Sequence, residues 1–148
     1  MKFVAPDAQG LTRTLEMIAG DSASGKAAAA GPADVAYSGV FVDDDDVVVA
    51  SCDCDMATAA ALGCALSMIP PGGAEGMVED GELSAMASDN LYECMNMFSS
   101  LLMADGSGHL RLVRVERAAP DIDGGPAEAA FALELGRYGK GALRFRYT

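Results

Sequence analysis

The sequence has few cationic side chains. Its 148 residues include 10 Lys and Arg against 22 Asp and Glu, a net charge of −12, and its pI is about 4.2. Nucleic acids and anionic membrane surfaces carry the same sign of charge and would repel such a chain. We therefore expect neither nucleic acid nor a membrane as a partner.

Long uncharged runs are also missing. The longest, residues 56–74, contains Pro70 and Pro71, whereas a membrane-spanning helix needs about 20 consecutive apolar residues. The opening stretch, MKFVAPDAQG, has one Lys and an apolar run of only three residues before Pro6, which is too short an apolar segment for a signal peptide. These features predict a cytoplasmic protein.

Tryptophan is absent and histidine occurs once, as His109. A lone histidine weakens any Ser-His-Asp triad. The four cysteines, Cys52, Cys54, Cys64 and Cys94, do not show the CxxC spacing of zinc sites. We expect them to be buried, reduced thiols in a core filled mainly by Ala, Val, Leu and Met.

Two stretches resemble ligand-binding motifs without completing them. GDSASGKA, residues 20–27, has the glycines and the lysine of a P-loop, but Ala27 replaces the Ser or Thr that binds magnesium. It also follows a predicted helix, whereas a P-loop follows a strand. The four aspartates at 43–46 lack the alternating spacing of a calcium loop, and they are typical of a solvated hairpin turn.

Hydrophobic periodicity predicts alternating helical and extended segments in one domain spanning residues 1–148. The predicted helices are 9–19, 56–69 and 82–103; the predicted strands are 1–4, 35–42, 47–52, 109–117, 128–135 and 142–147; residues 22–32 are predicted as loop. Asp55 or Ser51 would cap the second helix, and Pro70–Gly73 would stop it. A slip in the alternation near Val113 indicates a bulge. Because most strands are joined as hairpins, we expect an α+β fold, a mixed α/β sandwich with a largely antiparallel sheet and a long central helix.

The helix predicted at 82–103 has one apolar face and one narrow polar stripe. Asp89, Glu93 and Asn96 lie on the stripe, at spacings that bring Cβ atoms within about 5–6 Å. A solvated surface is the common explanation of such a stripe. However, this helix has no Lys or Arg to pair with the acids, and Tyr92 and Met97 are among the residues that border the stripe. Such borders favour a docking surface, so spacing alone leaves both interpretations open.

The stripe resembles the signature of the CheC/CheX/FliY phosphatases of bacterial chemotaxis, (Asp or Ser)-x-x-x-Glu-x-x-Asn. Asp89, Glu93 and Asn96 match it, and Pro120 follows with 23 residues between, close to the Pro that ends the signature. LTRTLEMIAG, residues 11–20, is similar to the first helix of CheX-like domains, and the hairpin at 36–52 is similar to their central section. A departure is Ser99-Ser100-Leu101, where many relatives have a glycine-containing turn.

The resemblance implies hydrolysis of phospho-aspartate on a CheY-like receiver domain, with Glu93 and Asn96 as catalytic residues. Asn96 would orient the attacking water, and Glu93 would bridge to a lysine of the receiver. Asp89, Tyr92 and Met97 would contact the partner. No cofactor is expected on this chain, since magnesium would arrive on the receiver. A single motif resembles CheX, whose members commonly form homodimers. The alternative is a non-catalytic CheC-like adaptor or a flagellar-switch-like binding module of the same fold.

Overall fold

A computed structural model describes residues 3–148. Its six strands form one sheet in the order β1-β5-β6-β3-β2-β4, and every neighbouring pair is antiparallel. The strands are β1 (Ala23–Ala28), β2 (Tyr37–Val42), β3 (Val48–Cys54), β4 (Arg111–Glu116), β5 (Ala127–Leu135) and β6 (Lys140–Tyr147). The strand latest in the sequence, β6, therefore lies inside the sheet, and β1 and β4 form its two edges.

Helices cover one face of this sheet. They are α1 (Ala8–Ala19), α2 (Met56–Ala65), α3 (Pro71–Asp80) and α4 (Ala85–Phe98), with short 3₁₀ segments at Ser99–Leu102 and Gly136–Tyr138. Helices α1, α2 and α4 contact the sheet, and α3 packs on α2. Between these layers lies one core, in which Phe98 of α4 meets Phe145 of β6 edge to face. Within residues 3–148, no helix is both long enough and apolar enough to cross a bilayer.

Two long connections cross the opposite face of the sheet. The strand order obliges the β1–β2 and β4–β5 connections to pass over intervening strands, and each contacts an arginine of β6: Gly31 lies against Arg144, and the Pro120 carbonyl accepts a hydrogen bond from Arg146 at 2.7 Å. Both arginines also bond the fully buried carboxylate of Asp53, at 2.7 Å and 3.1 Å. A buried carboxylate needs such partners, so this network fastens the connections to the sheet.

The α+β fold with a largely antiparallel sheet is confirmed. Asp55, rather than Ser51, caps α2 by accepting a hydrogen bond from the Thr58 amide at 2.9 Å. The predicted bulge is present, because Val40 pairs with Arg114 while the next residue of β2 pairs with Leu112. All four cysteines are buried and free, as predicted.

The prediction of loop at 22–32 is wrong, because Ala23–Ala28 forms the edge strand β1. The strand contains none of the β-branched or aromatic residues that would predict it from sequence. Close packing against α1 explains their absence. A Cβ on Gly25 would come within 2.7 Å of the Leu11 side chain of α1, and the Gly25 amide donates to the Thr12 hydroxyl at 3.0 Å. Only small residues fit between α1 and this strand, and they carry no strong β signal.

The helices also differ from the predictions in three places. Helix α2, predicted at 56–69, ends at Ala65. The helix predicted at 82–103 is shorter, since α4 begins after its cap Ser84 and tightens into a 3₁₀ turn after Phe98. Residues 71–80 form α3, with Pro71 at the first helical position and Gly81 in a left-handed cap, although the sequence predicts Pro70–Gly73 only as a stop and assigns residues 74–80 to no helix. Proline there loses no hydrogen bond, so the Pro-Gly stretch starts a helix instead of only ending one. The strand predicted at 1–4 lies partly outside the described residues; residues 3 and 4 are not in a strand.

Candidate functional site

Helix α4 carries the polar stripe, and its two ends are closed by serines. The Ser84 hydroxyl accepts a hydrogen bond from the Ala87 amide at 3.2 Å. At the other end, Ser99 donates to the carbonyl of Asn96 at 2.6 Å and Ser100 donates to the carbonyl of Met97 at 3.2 Å. Carbonyls at a helix end otherwise lack partners. The Ser-Ser pair therefore satisfies carbonyls at the end of α4 with side-chain hydroxyls, whereas a glycine turn satisfies them with backbone amides.

Contacts with α2 fix the position of α4. A Cβ built on Gly63 of α2 would lie 2.7 Å from the Ala87 carbonyl oxygen, so the two backbones almost touch. The side-chain amide of Asn90 donates to the Gly63 carbonyl and to the Ser67 hydroxyl, both at 2.8 Å. The sheet side is equally close, since Met95 lies against Gly39 of β2. Side chains on the outer face thus project from a well-held helix.

The outer face presents the three predicted polar residues. Asp89, Glu93 and Asn96 are all exposed. Within residues 3–148, none of the three side chains makes a hydrogen bond, and neither acid forms an ion pair. Their donors and acceptors therefore face solvent, where another molecule can reach them. The arrangement can orient a water through the amide of Asn96 and bind a cation through Glu93.

The bordering side chains are partly apolar. Tyr92 is 37% exposed and its hydroxyl donates to the Leu112 carbonyl at 3.4 Å, which ties the ring to β4. Met97 is half-buried, while Met86 is 58% exposed. Together they give the stripe an apolar margin of the kind that protein interfaces use.

Beneath the stripe, the Cys94 thiol is held neutral. Burial raises the pKa of this thiol to about 12, and the nearby charge of Glu93 adds to that effect. Its sulfur lies 3.7 Å from the Leu62 carbonyl oxygen. A thiol with so high a pKa is a poor nucleophile at neutral pH, so Cys94 acts as a packing residue.

A cavity beside the stripe was missed by reasoning from the sequence. It has a volume of about 200 Å³ and is lined by Tyr37, Asp89, Tyr92 and Val115 among others. Its walls come from α4, β2 and β4, segments far apart in the sequence. Arg117 is another residue that no sequence pattern identified. Its guanidinium lies 4.5 Å from the centre of the Tyr37 ring. No local signal in the sequence brings these side chains together.

In the part of the chain that the structure describes, no three His, Cys, Asp or Glu side chains converge in a way that could hold a metal ion. His109 is exposed and lies 3.6 Å from Asp44 in the acidic hairpin turn. Hydrogen bonds within the turn stabilise it: the Asp43 carboxylate accepts from the amides of Asp45 and Val47 at 2.9 Å and 3.0 Å.

No protein-family model and no curated protein sequence matches this chain. Solved structures do match. FliY from Thermotoga maritima superposes with a TM-score of 0.66 at 16% identity, over 94% of this chain and 82% of that one. CheX in its complex with CheY, BeF3 and Mg²⁺ from Borrelia burgdorferi gives 0.55 at 10% identity, over 93% and 92%. FliM in a FliG–FliM complex from H. pylori gives 0.58 at 10% identity, over 95% and 85%.

At these identities the likeness establishes the fold. The chain has the α+β fold found in FliY, CheX and CheC-like chemotaxis proteins, and the match extends over nearly its whole length. The similarity therefore includes both faces of the sheet as well as the helix that carries the stripe.

Proposed function

We propose that this chain, which has the fold of the CheX, CheC-like and FliY proteins, hydrolyses the aspartyl phosphate of a CheY-like receiver domain. Residues 1–148 would form a single phosphatase domain that ends a chemotaxis or two-component signal in the cytoplasm. The solved CheX that is bound to CheY and Mg²⁺ supports this choice of partner.

One observation carries the proposal. Asp89, Glu93 and Asn96 are exposed in register on one helix that packs closely on α2, and within residues 3–148 their side chains have no hydrogen-bonding partner. A surface that served only solubility would need neither an amide nor this spacing. A surface that completes another protein's active site needs fixed polar groups whose hydrogen bonds remain available.

Asn96 is assigned to the attacking water. Its amide oxygen accepts a hydrogen bond from the water and its NH₂ group donates to a phosphoryl oxygen, so the water is held in line with phosphorus. The water oxygen bonds to phosphorus as the bond from phosphorus to the aspartyl oxygen breaks. One proton of the water stays on the phosphate, the other passes to a phosphoryl oxygen or to solvent, and the aspartyl carboxylate is regenerated. Phosphoryl transfer depends mainly on positioning and electrostatics, which is work that an amide can do.

Glu93 and the border residues are assigned to docking. Glu93 lies one turn before Asn96 and would pair with a lysine of the receiver, which sets the register of the two proteins. Asp89, Tyr92 and Met97 would complete the contact. Magnesium would be held by the receiver's own acidic residues, so this chain would need no cofactor of its own. We also propose a homodimer, for which light scattering would give twice the 15.2 kDa of one chain.

Replacement of Asn96 by alanine tests the catalytic step. Phosphate release from phosphorylated receivers of the same genome is measured with and without the protein. We expect wild type to accelerate release and Asn96→Ala to lose about 100-fold or more of that acceleration, because the water is no longer positioned. Asn96 is exposed, so thermal unfolding of the variant should match wild type. A variant that folds and keeps wild-type acceleration would exclude the assigned role.

Replacement of Glu93 by lysine tests docking. Reversal of the charge places two cations together, so we expect KM for the phosphorylated receiver to rise at least about tenfold. Glu79→Lys on the exposed surface of α3 makes the same change of net charge away from the stripe and should leave KM close to wild type. Equal effects of both substitutions would point to overall charge instead of a Glu93 contact.

The FliM match favours a second candidate, a non-catalytic module of the flagellar switch, since that structure is a complex with FliG. This candidate predicts stable binding of a receiver or switch protein with no acceleration of phosphate release. The intact Asp-Glu-Asn stripe favours the phosphatase, because a binding surface has no need of an Asn amide placed one turn after the Glu.

A further inference from the structure

The cavity beside α4, here called the Asp89 cavity, has the character of a site for one side chain. Its volume of about 200 Å³ is below the roughly 300–1,000 Å³ of typical small-molecule sites. Tyr37, Tyr92, Leu83 and Val115 give it aromatic and aliphatic walls, and Asp89 is the one charged residue in its lining. An apolar cavity with a single carboxylate is suited to a side chain that has a long aliphatic stem and a cationic end.

The walls of the cavity are fixed by hydrogen bonds. The Tyr37 hydroxyl accepts from the Leu83 amide at 3.3 Å, and the Tyr92 hydroxyl donates to the Leu112 carbonyl at 3.4 Å. Arg117 packs on the Tyr37 ring while its guanidinium donates to the carbonyls of two other residues, Ala36 at 3.1 Å and Gly81 at 3.2 Å. Ordered walls reduce the entropy cost of binding.

Asp89 itself has no cation to neutralise it. Among residues 3–148, no Lys, Arg or His nitrogen lies within ion-pair distance of its carboxylate. Arg117, which packs on the Tyr37 ring and is not part of the cavity lining, donates to two backbone carbonyls. The carboxylate therefore remains available to a charge supplied from outside.

We propose that the Asp89 cavity receives one basic side chain, an arginine or lysine, from the surface of the protein that docks on α4. Its stem packs against the two tyrosine rings and its cationic head pairs with Asp89; an arginine can also stack on a ring. The identity of that protein as a receiver domain rests on the proposed function. Asp89 lies seven residues from Asn96, about 10 Å along the helix axis. Glu93 does not line the cavity, so the cation proposed here is distinct from the one assigned to Glu93.

Such a contact selects the partner. A receiver with a basic residue at that distance from its phosphorylation site would gain an ion pair, and one with an acidic or bulky residue there would leave Asp89 unpaired or clash with the tyrosines. Discrimination among receivers of similar active-site structure requires a contact of this kind, outside the reacting groups.

A titration with N-acetyl-arginine amide tests the cavity without any receiver. Backbone amide NMR signals of the protein are followed as the probe is added, with the neutral citrulline amide as a matched probe. We expect saturable shifts at residues 88–92 with the arginine probe, loss of those shifts in Asp89→Asn, and their retention in Glu79→Gln. Absence of saturable shifts in wild type, or equal shifts with both probes, would overturn the proposal.

Receiver kinetics give the second measurement. We expect Asp89→Asn to raise KM about fivefold while kcat stays within about twofold, and Glu79→Gln to change neither. A fall in kcat at constant KM would place Asp89 in the chemistry and overturn the cavity's docking role. If wild type accelerates no receiver, the phosphatase proposal fails, while the arginine titration still decides whether the cavity binds a basic side chain.

Discussion

At the scale of single residues, Met68 occupies a position that favours glycine. It has φ 58°, in the left-handed region, and is 76% exposed. The Ile69 amide bonds the Cys64 carbonyl at 2.9 Å and the Met68 amide bonds the Ala65 carbonyl at 3.1 Å. This is the Schellman arrangement that closes a helix, with Met68 at the position where glycine is usual.

Met68→Gly should therefore stabilise the protein. Left-handed backbone costs a non-glycine residue about 1–2 kcal/mol, and the greater freedom of glycine in the unfolded chain returns about 0.5–1 kcal/mol of that. We expect the free energy of unfolding, measured in urea, to rise by about 0.5–1 kcal/mol. Met68→Ala keeps a Cβ and should give no gain; an equal gain from both variants would show that the Met side chain, and not the backbone, is unfavourable.

At the scale of elements, α4 depends on its crossing with α2. The closest approach is at Gly63, where a Cβ would meet the Ala87 carbonyl oxygen at 2.7 Å, and the Asn90 amide bridges the same point. The polar stripe is on the opposite side of this helix. Any shift of α4 away from α2 therefore moves Asp89, Glu93 and Asn96 together.

Gly63→Ala should both destabilise the protein and impair the proposed phosphatase reaction. Forcing the helices apart in a packed core costs about 1–3 kcal/mol, and we expect the urea midpoint and the phosphatase acceleration to fall together. Gly72→Ala in α3 is the control, because nothing lies within 4 Å of the point that its Cβ would occupy and alanine favours helix. A normal reaction rate in a destabilised Gly63→Ala would show that the stripe tolerates movement of α4.

The elements also show where sequence reasoning succeeds. The polar stripe and its apolar counterpart could be predicted because a helix repeats regularly, so spacing alone assigns Leu91 and Asp89 to opposite sides. Strand β1 could not be predicted in this way, because its small residues are required by Leu11, which is close in space but distant in the sequence. The Asp89 cavity could not either, since Tyr37 and Val115 reach it from two different strands and local pattern holds no information about such contacts.

At the scale of the whole molecule, the two sides of the sheet have different tasks. One side holds the helices and the exposed stripe, and the other is sealed by two connections and the network around Asp53. Pro120, which resembles the proline at the end of the signature, belongs to this second side. Its carbonyl accepts a hydrogen bond from Arg146, so it supports the crossing connection.

The buried thiols make stability depend on alkaline pH. Burial raises the pKa of Cys94 to about 12, whereas an unfolded thiol has a pKa near 8.5. The neutral thiol thus stabilises the fold fully below about pH 8.5, and that contribution is lost as pH rises toward the folded value, by about 1.4 kcal/mol per unit for one thiol.

We expect the free energy of unfolding to fall less steeply between about pH 9 and pH 11 in Cys94→Ala than in wild type. Urea titrations under reducing conditions measure the slope. Ile18→Val removes a buried methylene and leaves every thiol in place, so it should lower stability by a similar amount at every pH. Parallel curves for wild type and Cys94→Ala would mean that this thiol ionises in the folded protein as easily as in the unfolded one.

The interior place of β6 has a consequence for synthesis on the ribosome. This strand bridges β5 and β3, so without it the sheet is divided into a β1–β5 pair and a β4–β2–β3 group. The stripe helix is translated well before the strand that unites these parts. Until β6 emerges, α4 has only part of its final platform, and the nascent chain leaves two strand edges open to wrong pairing. The chain is therefore most open to wrong strand pairing in the interval before β6 is inserted.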